Sequence, residues 1–376
     1  MKSSRFGRPL VVVGSVAVFA VLPLFAIGYV VTDLATGGAG WAFREAFLTA
    51  ADDVLHGDSP YPEEGDASLA RGTAYVYPPV LAQVLIPFTL VPESVAVVAF
   101  ALLLVAAVFA TLALLGVRDW RCYGIALLWP PVLSAVHVEN VTILMGLAAA
   151  LVWRFRDRPA GGLGLGVSIA VKPLLWPLGA WLLALRSYAA LVWAVIVAGS
   201  LVLASWAVIG FAGVVEYEGL LRRLSDAMDE WGYSVYALAL DLGAGNTLAK
   251  GLWLAVALAL VVASFLVARR GDLRRGFVLG IAAVIACSPI VWLHYFALLL
   301  VAVAVAQPTL GVAWLAPFLM FGAREITNGT PFQNALTLTA AALTIAVASY
   351  VAPSARRREQ LEPRPAAARG QLAEAP

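Results

Sequence analysis

Residues 94–117 read SVAVVAFALLLVAAVFATLALLGV, an unbroken apolar run without one ionisable side chain. As a helix rising about 1.5 Å per residue, such a run crosses a hydrocarbon core about 30 Å thick. Segments 9–31 and 251–268 have the same character. Lipid offers backbone N–H and C=O groups no partners, so segments of this kind must be helical. Their apolar character is continuous rather than alternating with period two, which excludes the strands of an outer-membrane barrel. Over all 376 residues, 62% are hydrophobic and 13% charged, about half the charged share of a soluble domain. The chain therefore reads as an all-α, polytopic membrane protein with about ten to twelve transmembrane or re-entrant helices.

Segment 9–31 follows Lys2, Arg5 and Arg8, as the core of a signal peptide would. It is long, however, and lacks a small-residue cleavage site, so a retained anchor is expected. Cys122 and Cys287 lie within apolar runs and read as packing residues. A net charge of +2 gives no reason to expect a nucleic-acid partner.

Most Lys and Arg residues cluster at the N-terminal end, at 118–121, 154–158, 186, 269–275 and 356–369, whereas most carboxylates fall elsewhere. The positive-inside rule makes those clusters cytoplasmic, with both termini inside, and predicts a multi-pass protein of the plasma membrane. The scheme closes only if residues 77–92, interrupted by Pro78, Pro79 and Pro87, form a partial helix. It also needs a dip and return between Arg158 and Arg186, where Lys172-Pro173 breaks the apolar run. One transmembrane domain, 1–352, results, with outer loops at 32–76 and 214–246 and small outer turns near His137, His294 and Arg324. Residues 353–376, rich in Arg, Ala, Pro and Glu, read as a disordered cytoplasmic tail.

Within the first outer loop, Phe43, Phe47, Ala50, Ala51 and Val54 recur at helical spacing, and His56-Gly57 marks the helix stop. Two Tyr/Pro clusters follow, one around Tyr61 and one at Tyr75-Val76-Tyr77-Pro78-Pro79. Ionisable groups near apolar segments are expensive and therefore informative. A centred lysine costs about 2.5–3.5 kcal/mol on insertion scales, so Lys172 calls for an anionic partner. Three readings stand: it meets a lipid phosphate, it pairs with a group on a neighbouring helix, or it snorkels to the interface. His137, Glu139 and Asn140 fall at one outer turn and His294 at another. Gly162, Gly164 and Gly166 superficially resemble a dinucleotide loop, but no strand precedes them, and close helix packing is the better reading. Asn140-Val141-Thr142 and Asn328-Gly329-Thr330 match the glycosylation pattern but are discounted beside the bilayer. No spaced His/Cys cluster calls for a metal, and no cofactor is expected.

These landmarks resemble glycosyltransferase family 87, membrane mannosyltransferases of the glycosyltransferase C superfamily. The likeness lies in the helix WAFREAFLTAA at 41–51, its ending VLHGDSPYP at 54–62, and YVYPP at 75–79 with Pro87. It continues through Asn140, the glycines leading to Lys172-Pro173, YSVYAL at 233–238 and SPIVWLH at 288–294. The resemblance implies transfer of a hexose, most often mannose, from a polyprenyl-phosphate donor. The acceptor is a glycolipid or polysaccharide on the outer face, and membrane lipids surround the reaction. It further implies a carboxylate base for the acceptor hydroxyl and a cation for the departing phosphate.

Lys172 suits the phosphate, with His294, His137, Glu139, Asn140, Tyr61 and Tyr77 as further substrate contacts. The family's first-loop helix usually begins with aspartate, whereas Ala42 stands there in this chain. Glu45, one turn onward, is the expected replacement base, with Asp33 and Asp53 behind it. Two other readings use the same residues. A lipid-linked sugar transporter would also need broken helices, but predicts inverted repeats that the sequence does not show. An inactive member of the family would explain Ala42.

Overall fold

A computed structural model describes residues 7–63, 65–227, 232–323 and 330–350. The turn expected near Arg324, the tail at 353–376 and the Asn328 sequon lie outside them. No strand occurs among the described residues. Five helices among the described residues are long and apolar enough to cross a bilayer: Val11–Ala35, Glu93–Leu114, Tyr188–Val208, Asn246–Arg269 and Pro331–Tyr350. Shorter apolar helices fill the space between them, among them Thr142–Arg154, Pro159–Val171 and Leu293–Ala306. The result is an all-α membrane protein.

Both expected interruptions are present. Pro79–Thr89 is a helix of 11 residues, about 16 Å long and too short to span by itself. The Pro159–Val171 helix stops at Lys172, and helical structure resumes at Leu178–Ala184. The glycines before that break serve packing. A side chain on Gly162 would strike the backbone of Ala190, and one on Gly166 would come 2.7 Å from the Ala194 carbonyl oxygen. Bare backbone at these two positions lets the Pro159–Val171 helix lie directly against Tyr188–Val208.

The first-loop helix begins with π-type turns at Ala42–Leu48 and continues as Thr49–His56, closing on Gly57 in the left-handed region. Its apolar face, with Phe43, Phe47, Ala50 and Ala51, is buried against the short Pro79–Thr89 helix and its neighbours. Phe43 stacks on Phe100 at 4.4 Å. Two backbone bonds fasten the start of the helix to the turn at 137–140: Gly40 N–H to the His137 carbonyl, and Ala42 N–H to that of Val138. Cys122 is buried, and both cysteines are free.

Candidate functional site

Pro173 explains where the lysine sits. Proline pushes the residue before it out of the helical region, and Lys172 is extended, with φ −150° and ψ 111°. The side chain is thereby released from the helix end into the protein, where it is 4% exposed. Its ammonium lies 4.0 Å from the centre of the Tyr295 ring and 5.3 Å from that of Tyr77. Two long contacts reach oxygen, at 3.4 Å to Asn140 Oδ1 and 3.5 Å to Thr142 Oγ1. Asn140 Oδ1 is itself held by the Thr142 N–H at 3.1 Å and its hydroxyl at 2.7 Å. No described carboxylate forms an ion pair with Lys172. An ammonium carries three donors, so this one keeps capacity for a further oxygen.

Lys172 opens onto a cavity of about 360 Å³. Its wall is drawn from distant parts of the chain. Trp41 and Ala42 come from the start of the first-loop helix, Tyr77 from the Tyr/Pro cluster, and Asn140 from the turn that follows His137. His294 and Tyr295 follow the SPIVW stretch, while Leu221 and Leu224 come from the amphipathic Tyr217–Ala227 helix. Trp41 and Trp292 face each other at 5.1 Å, giving the wall a broad aromatic surface. Two buried nitrogens at this wall, Trp41 Nε1 and His294 Nδ1, have no hydrogen-bond partner among the described residues. A buried polar group left unpaired costs about 1–3 kcal/mol, so both are poised for atoms that a ligand brings.

Of the residues expected to form a site, Lys172, His294, Asn140 and Tyr77 meet in this one cavity. Ala42 also lines it. The remaining candidates lie elsewhere. Glu45 projects from the exposed side of the first-loop helix, and Asp53 is partly exposed farther along it. Asp33 pairs with His137 at 3.0 Å, tying the end of the Val11–Ala35 helix to the end of the Pro130–His137 helix. Glu139 is fully buried beside Gly40, and neither of its carboxylate oxygens has a hydrogen-bond partner among the described residues. Tyr61 donates to the Tyr77 carbonyl at 3.0 Å and stacks on Trp206, so it buttresses the wall from behind. No carboxylate is among the described residues of the cavity wall, and no described His/Cys/Asp/Glu cluster is placed to hold a metal ion.

Sequence reasoning did not single out Trp41, Trp292 or Tyr295 as site residues. Tyr295 directly follows His294, which was the one signal available in the sequence; its contact with Lys172 exists only in the tertiary structure. The two tryptophans carried none, since aromatic residues are common at membrane boundaries.

The family model for glycosyltransferase family 87 matches residues 75–289, more than half of the chain. That span includes Tyr77, Asn140 and Lys172, and it ends five residues before His294. Comparison with curated proteins and with solved structures returns no match.

Proposed function

The chain belongs to glycosyltransferase family 87, and from that premise we propose that it moves a hexose, mannose first among candidates, from a polyprenyl-phosphate donor to an acceptor at the outer face of the membrane. Carrying this reading is the wall of the cavity. An uncompensated ammonium and two unpaired nitrogens, one of them an indole N–H, surround a space walled by aromatic rings. Such a wall suits an anion attached to a sugar better than it suits a neutral lipid.

In the proposed reaction the donor phosphate lies against Lys172, with the Trp41 indole N–H as a second donor and Asn140 holding the ammonium in position. The acceptor hydroxyl attacks the anomeric carbon from the side opposite the phosphate. The bond from that carbon to the phosphate oxygen breaks, and its electron pair leaves with the lipid phosphate. Lys172 stabilises the charge that grows there, at close range and away from bulk water. The hydroxyl proton needs an acceptor within hydrogen-bond reach. We assign it to His294, whose Nδ1 has no partner among the described residues, in preference to Glu45, which stands on the exposed side of its helix.

The test is purified protein supplied with polyprenyl-phosphate mannose and a panel of glycolipid and polysaccharide acceptors. Transfer should consume the donor and release polyprenyl phosphate. Donor moved between leaflets without being consumed would replace this reading with that of a transporter.

A further inference from the structure

Glu139 burdens the fold twice. The Pro130–His137 helix closes on a Schellman turn, in which the Glu139 N–H donates to the Val136 carbonyl at 3.2 Å and the Asn140 N–H to that of Ala135 at 3.0 Å. Such a turn holds its first residue past the cap in the left-handed region, where glycine is the ordinary choice because it has no Cβ. Glu139 stands there instead, with φ +59°. Its carboxyl is also wholly buried, and both oxygens lack a hydrogen-bond partner among the described residues. Burial without a partner destabilises the fold a second time. Glycine would make the same turn and avoid both penalties.

What the glutamate adds is a side chain at a joint. On one side the chain continues into Asn140, whose Oδ1 reaches the Lys172 ammonium. On the other side Oε2 lies against Gly40, where an added Cβ would come 2.6 Å from it. Gly40 and Ala42 are themselves tied by their N–H groups to the carbonyls of His137 and Val138, the two residues before Glu139. Trp41, held between those ties, and Asn140 both line the lysine-bearing cavity. The Arg44 guanidinium bonds to the carbonyls of Leu34 and Ala39 and to Glu93, so Glu139 occupies the joint by its shape rather than as half of an ion pair.

We infer that Glu139 is a positioning residue. Its side chain is the spacer between the start of the first-loop helix and the turn at 137–140, and it fixes where Asn140, and through it Lys172, stands relative to Trp41. The lysine ammonium and the indole N–H are the two donors assigned above to a lipid phosphate, so this inference rests on that reading and adds to it the residue that sets their separation. Strain kept at such a place, where a cheaper residue would make the turn, is a mark of a site whose geometry is held for a ligand.

The experiment uses the full-length protein in detergent and reads two quantities for each variant, the thermal midpoint and the affinity for polyprenyl phosphate. E139G should be at least as stable as the parent, yet bind about tenfold more weakly or worse, because misplaced binding groups lose affinity steeply. E139Q keeps the shape and should stay within about threefold of the parent. On a K172M background E139G should lose less than about twofold further, since the charge being positioned is gone. Parent-like affinity in E139G, a loss in E139Q as large as in E139G, or a tenfold loss that persists on the K172M background would each overturn the inference. So would a lowered midpoint in E139G, the sign of a merely structural residue. A parent that binds no polyprenyl phosphate would overturn it together with the phosphate reading. The expected binding pattern without sugar transfer from any donor would uphold Glu139 and defeat the transferase reading alone.

Discussion

The Lys172 ammonium lies 4.0 Å from the centre of the Tyr295 ring, and the two side chains come from helix breaks more than a hundred residues apart. Ring faces attract cations, at about 0.5–2 kcal/mol depending on desolvation. That attraction holds the lysine without neutralising it, as a carboxylate would, and leaves its charge available to a ligand. Replacing Lys172 by methionine keeps the volume and removes the charge. Its kcat/KM for polyprenyl-phosphate sugar should fall about 100-fold, about 2.7 kcal/mol of transition-state stabilisation. A fall below threefold would remove the lysine from the reaction.

The assignment of the proton acceptor separates two variants. A general base contributes about 10²–10⁴-fold, so H294Q should lose at least 100-fold in kcat with a smaller change in donor KM. E45Q, altered on the exposed side of the first-loop helix, should stay within about twofold of the parent. The reverse pattern in steady-state kinetics would return the role to Glu45.

Ala42 invites the opposite experiment. It lines the cavity from the first turn of its helix, and a carboxylate there would face the space where an acceptor must lie. A42D placed on the H294Q background is expected to recover at least tenfold in kcat. Absence of recovery, with the double variant folded and still binding polyprenyl phosphate, would count against a base at either position.

Helix packing at the glycines is testable through stability. Gly166 faces the Ala194 carbonyl closely enough that a Cβ would sit 2.7 Å away. Overpacking of a tight contact costs about 1–3 kcal/mol. Gly166→Val should therefore lower the thermal midpoint in detergent by several degrees, whereas the same change at Gly199, which has open space around it, should not.

Asp119 caps the Trp120–Leu127 helix and also accepts from the Leu310 N–H at 3.1 Å. The Arg121 guanidinium bonded to it holds its carboxyl down at about 2, with the two backbone N–H groups adding to the effect. A lowered value means the stabilisation is complete above the ordinary carboxylate range near 4 and disappears as pH falls toward 2. D119A should cost about 1–2 kcal/mol at neutral pH. Its thermal midpoint should also converge with that of the parent in acid.

Hydropathy along the chain determined much of this protein without reference to any fold. It marked the long spans, the shortness of Pro79–Thr89 and the break at Lys172-Pro173, because lipid imposes helices and proline interrupts them wherever they stand in sequence. It also showed which ionisable side chains were costly enough to need a purpose. Which of them would meet was decided only by the tertiary structure. Lys172 and Asn140 are 32 residues apart and His294 is far from both, so their convergence depends on how each helix is rotated and on how deep the first loop sits. Rotation is set by contacts such as those at Gly162 and Gly166, and depth by the backbone bonds from Gly40 and Ala42 to His137 and Val138. For the same reason Glu45 looked suitable by helical spacing yet stands on the exposed side of its helix: spacing gives the angle between residues, and packing chooses which angle faces inward.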